Sequence, residues 1–209
     1  MNCSLITFAV EEEARSFRRQ RIAPTQILVT GIGSRNAQRA LHQALTGPLP
    51  KRVLTCGFAG GLNPGFPFGA VLFSADEGFD LTPALVTAGA RFARFHPADR
   101  VIITAAEKHA LRQTTGADAV EMESAIIRAM CRERGIPSAT VRVISDTADE
   151  DLPLDFNRLL SSDARLRSDR LVVALLKSPT RIRALIRMGF RTRRAARELA
   201  NVLGSLFAP

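Results

Sequence analysis

The 209-residue chain contains no tryptophan and no tyrosine, so its 12 phenylalanines supply every aromatic ring. A planar ligand must therefore stack on phenylalanine or on aliphatic side chains. Cysteine is also scarce. Cys3, Cys56 and Cys131 are odd in number, far apart and never in a C-x-x-C pair, which argues against a disulfide framework and a zinc site. They read as small buried apolar residues in a reducing compartment. His42, His96 and His109 lack metal-ligand spacing and no G-x-S-x-G elbow accompanies them, so metallohydrolase and serine hydrolase chemistry find no support. The acidic run from Asp146 to Asp155 lacks the glycine and the spacing of a calcium loop. No apolar run approaches the roughly 18 residues that span a bilayer. The first ten residues carry no basic side chain and lead straight into Glu11, Glu12 and Glu13, the wrong flank for a secretory signal. The expectation is a cytoplasmic protein.

Hydrophobic residues make up 46% of the chain, an ordinary share for one globular core. The net charge of +9 is unevenly placed: residues 1–162 hold 18 Lys or Arg against 17 Asp or Glu, and residues 163–209 hold 11 against 3. The body is near neutral and the tail is cationic. Over the first 145 residues, short β-branched runs alternate with helical stretches, the pattern of an α/β domain with a mostly parallel sheet. Strands are predicted over 4–9, 26–30, 52–56, 70–74, 101–104, 118–120 and 139–144, and helices over 11–19, 35–45, 106–114 and 124–134. The last of these carries Ile126, Ile127, Met130 and Cys131 on one face and Arg128, Arg132 and Arg134 on the other, then stops at Gly135 and Pro137. From Pro179 the spacing of Ile182, Leu185, Ile186, Leu199, Leu203 and Leu206 predicts a long terminal helix. Arg181, Arg183, Arg187, Arg191, Arg193, Arg194 and Arg197 run along it, opposed only by Glu198.

Chemistry concentrates where predicted strands end. In Ala119-Val120-Glu121-Met122-Glu123-Ser124 a strand runs into a helix with two carboxylates two positions apart, a spacing that puts both on one side of extended chain. Acids at a helix start also complement its dipole, so this pair alone does not define a site. A second acid follows the apolar strand 139–144: Asp146, in Ser145-Asp146-Thr147-Ala148-Asp149, stands where a carboxylate is available for acid–base work. Gly57-Phe58-Ala59-Gly60-Gly61 ends a third strand, and its missing side chains allow close backbone approach to a ligand or simply make a turn. Gly31-Ile32-Gly33 lacks the third glycine and the later acid of a dinucleotide fingerprint. Glu11, Glu12 and Glu13 cap a helix but also follow the first strand, so one of them could face a cleft.

In their order along residues 1–156, Glu11-Glu12-Glu13, Gly31-Ile32-Gly33, Gly57-x-Ala59-Gly60-Gly61, Val120-Glu121-Met122-Glu123 and Val141-Arg142-Val143-Ile144-Ser145-Asp146 resemble the nucleoside phosphorylase superfamily. The branch is that of the methylthioadenosine/S-adenosylhomocysteine nucleosidases. Thr104-Ala105-Ala106-Glu107-Lys108 and the arginine-rich tail look closest to the hopanoid-associated phosphorylases, which act on adenosylhopane. The resemblance implies a single-domain three-layer α/β/α sandwich with a mixed, mostly parallel central sheet over 1–162, and a basic helical extension, 163–209, packed on it. It implies cleavage of an N-glycosidic bond in a purine, adenine-type nucleoside, as a hydrolase or a phosphate-using glycosyltransferase. Asp146 would be the general acid at N7 of the base, with a raised pKa and with Ser145 positioning it. Glu123 would hold the ribose 2′-hydroxyl region, Met122 would pack on the sugar, and Glu13 with Arg142 would orient a water. Val120, Glu121, Phe58, Ala59 and Gly60 would line the substrate, and Phe156 the apolar pocket beyond the 5′ position. The places of the phosphate-binding arginine and threonine of phosphorolytic relatives are held here by Thr55 and Phe58. No metal or cofactor is implied, with phosphate only as an alternative co-substrate, and a homo-oligomer, commonly a homodimer, is implied by analogy. Two other readings stand beside this one. The helix from Arg181 to Arg197 could bind an anionic membrane peripherally, or less readily nucleic acid, since it lacks interleaved stacking aromatics. The chain could also bind a nucleoside without cleaving it.

Overall fold

A computed structural model describes residues 3–22, 25–159 and 180–207. In chain order the elements are β1 (Ser4–Phe8), α1 (Glu11–Arg18), β2 (Thr25–Val29), α2 (Ser34–Ala44), β3 (Arg52–Gly61), β4 (Val71–Ala75), α3 (Thr82–Thr87), β5 (Arg91–Phe92) and β6 (Phe95–Pro97). Then follow α4 (Ala105–Thr115), β7 (Ala119–Glu121), α5 (Ser124–Glu133), β8 (Ser138–Asp146), α6 (Phe156–Leu159) and α7 (Thr180–Ser205). The sheet runs β2-β1-β3-β8-β4-β5, and β7 joins it on β3 with β6 beside β7. β1, β2, β3 and β8 are mutually parallel, whereas β4 runs antiparallel to β8 and β7 antiparallel to β3. It is the mixed, mostly parallel sheet of an α/β domain.

Strand alternation sends side chains to two cores. Ile6, Phe8, Leu54, Cys56, Val141 and Val143 face Ala14 and Phe17 of α1 and Ala195, Leu199 and Leu203 of α7. Leu5 and Val53 face the other way, against Ala37 and Leu41 of α2 and Ile127, Met130 and Cys131 of α5. The result is helix, sheet and helix in three layers, in which each fully buried leucine or phenylalanine contributes about 1.5–3 kcal/mol. Cys56 and Cys131 lie inside these two cores.

The run Val101 to Thr104, read as a strand, is not one. The side-chain amide of Asn157 takes the place of a neighbouring strand, accepting from the Val101 amide at 2.8 Å and donating to its carbonyl at 2.9 Å. Thr104 then caps α4, its Oγ1 accepting from the Glu107 amide while the Glu107 carboxylate accepts from the Thr104 amide. The stretch between Ser74 and Val101 holds α3, β5 and β6. In α7, Leu199, Leu203 and Leu206 are buried as their spacing implies, but Ile186 points outward at 56% exposure. The side chains of Arg181 and Ile182, and residues 160–179, lie outside the described part of the chain.

Candidate active site

β3, β7 and β8 deliver their ends to one place. The β3–β8 register shifts between Ala59 and Gly60, which brings Gly60 opposite Asp146, while Gly60 also pairs with Val120 of β7. A cavity of about 640 Å³ opens there. Glu13, Glu121, Glu123, Ser145 and Asp146 line it, together with Phe58, Ala59, Gly60, Val120, Met122 and Phe156. Of the catalytic and substrate-lining residues that the resemblance implies, Arg142 alone does not line the cavity. Walls that sequence reasoning missed come from Ile32, from Arg100 to Ile102, and from Leu185, Met188, Gly189 and Thr192 of α7. α7 is thus one side of the cavity, although its sequence signals only an amphipathic cationic helix.

Arg142, 1% exposed on β8, organises the carboxylates from behind. Its Nη2 donates to Glu121 Oε2 at 2.6 Å, to Glu123 Oε2 at 3.3 Å and to Thr55 Oγ1 at 3.3 Å, and its Nη1 donates to the Cys56 carbonyl at 3.0 Å. Glu121 also accepts from the Glu123 and Ser124 amides and the Ser124 hydroxyl, so it serves as the anchor of the α5 start. Glu123 keeps its other oxygen on the Gly33 amide at 2.8 Å. Glu13 accepts from the Ala9 and Val10 amides through Oε2 and from the Phe58 amide through Oε1. Gly57 makes this approach possible. At its φ of +148° a Cβ would fall 2.5 Å from Arg142 Nη1 and 2.7 Å from Glu13 Oε1, which no larger residue could occupy.

One guanidinium cannot neutralise three buried carboxylates. Burial pushes Glu13 upward against the pull of Arg142 and three backbone amides. Burial likewise raises Glu123 from 4.5 to about 7, with Arg142 opposing and Glu121 reinforcing the shift. Since the folded value lies above the unfolded one, this group's contribution to stability is complete below the unfolded value and is lost as pH rises through about 7. Wild-type protein is therefore expected to lose on the order of 1–3 kcal/mol more than Glu123→Gln between about pH 5 and pH 8. Urea unfolding at both pH values reads this out, and parallel pH profiles for the two proteins would refute it.

Asp146 lines the same cavity. Ser145 Oγ donates to its Oδ1 at 2.7 Å, and Lys108 Nζ donates to its Oδ2 at 2.5 Å. Lys108 is not among the residues expected to form the site, although it ends the Thr104–Lys108 stretch that carries part of the resemblance. Neither residue at the phosphate-related positions offers a ligand for an anion: Thr55 is buried against Arg142, and Phe58 presents its ring. Arg100 is the one cation lining the cavity among the described residues, and Glu107 holds it at 2.6 Å.

The sheet order and the three layers are those of a nucleoside phosphorylase-like fold, and residues 94–177, which include Glu121, Glu123, Arg142 and Asp146, match the Phosphorylase superfamily. In particular, the chain is similar to 5′-methylthioadenosine/S-adenosylhomocysteine nucleosidases. It is 42% identical to that of an Exiguobacterium species over 62 residues, a stretch that spans 30% of this chain and 26% of the relative. To the Glaesserella parasuis enzyme it is 26% identical over 185 residues, 73% of this chain and 80% of that one. The Neisseria meningitidis enzyme in complex with methylthio-immucillin-A shares the fold with a TM-score of 0.71 at 18% identity, over 99% of this chain and 98% of that one.

Proposed function

We propose that this protein cleaves the N-glycosidic bond of an adenine-type purine nucleoside or adenosyl compound, with water as the nucleophile. The observation that carries this reading is one cavity lined together by Asp146, held by Ser145, and by Glu123 and Glu13. Asp146 would hydrogen-bond and protonate the departing base at N7, so that the electrons of the breaking C1′–N9 bond leave on a neutral purine. Glu123 would hold the ribose 2′-hydroxyl and offset the positive charge that develops on the sugar. Glu13 Oε1 accepts one amide and retains a lone pair for a water. The apolar residues Met122, Phe156, Leu185 and Met188 suit the sugar and a nonpolar 5′ group. Thr55 and Phe58 leave no cationic cradle for phosphate, which favours hydrolysis. Incubation with adenosine, methylthioadenosine and S-adenosylhomocysteine, with and without phosphate, tests the reading. Free adenine at equal rates in both buffers is expected. Release only with phosphate would replace water by phosphate, and no release from any adenosyl compound would leave a nucleoside binder without catalysis.

A finer part of this proposal concerns the setting. Ile186 and Phe190, 56% and 65% exposed, lie one turn apart on the outer face of α7, flanked by Arg183, Arg187 and Arg194. Such a face suits the interface of an anionic bilayer, and the inner face of the same helix lines the cavity. A lipid-linked adenosyl substrate would reach the site there. Because Leu199 and Leu203 belong to the core, the test is a surface change rather than a deletion. Wild-type protein is expected to sediment with vesicles of anionic phospholipid at low salt and less so near physiological salt, and Ile186→Ser/Phe190→Ser to remain in the supernatant. Equal sedimentation of the two proteins counts against membrane docking.

A further inference from the structure

Lys108 is a charged group at the site to which the reaction above gives no task. It is fully buried on α4, and its ammonium meets three acceptors: Asp146 Oδ2 at 2.5 Å, the Thr147 carbonyl at 2.8 Å and the Glu150 carbonyl at 2.8 Å. Three N–H donors are thereby matched to three oxygens. The lysine does not line the cavity, so it reaches Asp146 from the side away from the substrate. Fastening the loop after β8 does not require it. Thr147 already donates to Glu150 Oε2 at 2.9 Å, Arg191 of α7 grips the Glu150 carboxylate through two bonds of 2.6 and 2.8 Å, and the Leu152 amide bonds the Ile103 carbonyl. Nor does an ordinary structural role call for a charge here, since a buried ammonium is costly and a neutral donor would serve two carbonyls. What the charge faces is the carboxylate that must hand over a proton.

We propose that Lys108 is a positioning residue that feeds, through Asp146, the proton taken up by the departing purine. This rests on the glycosidic cleavage reading above. As C1′–N9 breaks and its electron pair passes to the base, an Nζ–H bond of Lys108 breaks, its proton passes to the Asp146 carboxylate and one proton leaves Asp146 for N7, so that Asp146 ends as the carboxylate it began as. Lys108 is left as a neutral amine. The attacking water gives one proton to solvent as its oxygen bonds to C1′, and after the purine leaves, solvent returns one to Lys108 through Asp146, so the protons balance.

A pair of substrates separates this role from a structural one. Adenosine needs its leaving group protonated, whereas 4-nitrophenyl β-riboside expels a stable phenolate and does not. Lys108→Gln, which retains an amide donor beside Asp146 but no transferable proton, is expected to lower kcat on adenosine roughly 100-fold with KM little changed, and to slow the nitrophenyl riboside far less. Equal slowing of both substrates by Lys108→Gln would overturn the proposal. Wild-type protein that cleaves neither substrate would instead overturn the functional reading, and this proposal with it.

Discussion

Replacing Asp146 by asparagine is expected to lower adenine release by about 10²–10⁴-fold, the usual worth of a positioned general acid. The substitution is nearly isosteric, and both partners remain satisfied: the amide oxygen can face Lys108 and the amide nitrogen can donate to Ser145 Oγ. What disappears is a group that can take a proton from one side and give it on the other. The Asp146 side chain is itself partly exposed, at 15%, but the change leaves the buried Lys108 ammonium without its counter-charge, so the unfolding midpoint should fall while the folded protein remains available for the rate measurement. Adenine formation under single-turnover conditions checks the rate, and circular dichroism checks the fold. An undiminished rate in Asp146→Asn would remove Asp146 from the chemistry.

The largest effect on stability is expected from Arg142→Met, about 3–5 kcal/mol, the range for breaking a buried ion pair by removing one partner. Methionine fills much of the volume but leaves Glu121 and Glu123 without the guanidinium and the Cys56 carbonyl and Thr55 hydroxyl without their donor. Glu13, already pushed up by burial, loses the charge that restrains it. The carboxylates can answer only by taking up protons, so the deficit should grow as pH rises. Urea unfolding of both proteins near pH 5.5 and near pH 8 measures it. A Met variant as stable as wild type at both values would show that the three acids are not held by this arginine. In the lower range of pH the two predictions are independent, because Asp146 and Arg142 share no hydrogen-bond partner among the described residues.

Legibility in the sequence followed locality. The β-branched runs of β1, β3 and β8 and the amphipathic faces of α2 and α5 could be read because strand and helix periods repeat within ten residues or so. Val101 to Thr104 was misread for the same reason: four β-branched residues look like a strand, and only the side chain of Asn157, distant in sequence, shows that no strand pairs with them. Ile186 fits the helical stripe of Leu199 and Leu203 by spacing, yet the first half of α7 turns Leu185 and Met188 to the cavity and leaves Ile186 to solvent.

By itself the sequence determined the alternating α/β framework and the places of Glu121, Glu123 and Asp146 at strand ends, since a strand ending in an acid is a local pattern. The tertiary structure alone decided what those acids do. Arg142 lies 21 and 19 residues from the two glutamates it binds, Lys108 lies 38 residues from Asp146, and α7 closes the cavity from the far end of the chain. The worth of a charge depends on its distance to other charges and on the water removed from around it, and neither is set by neighbours in sequence.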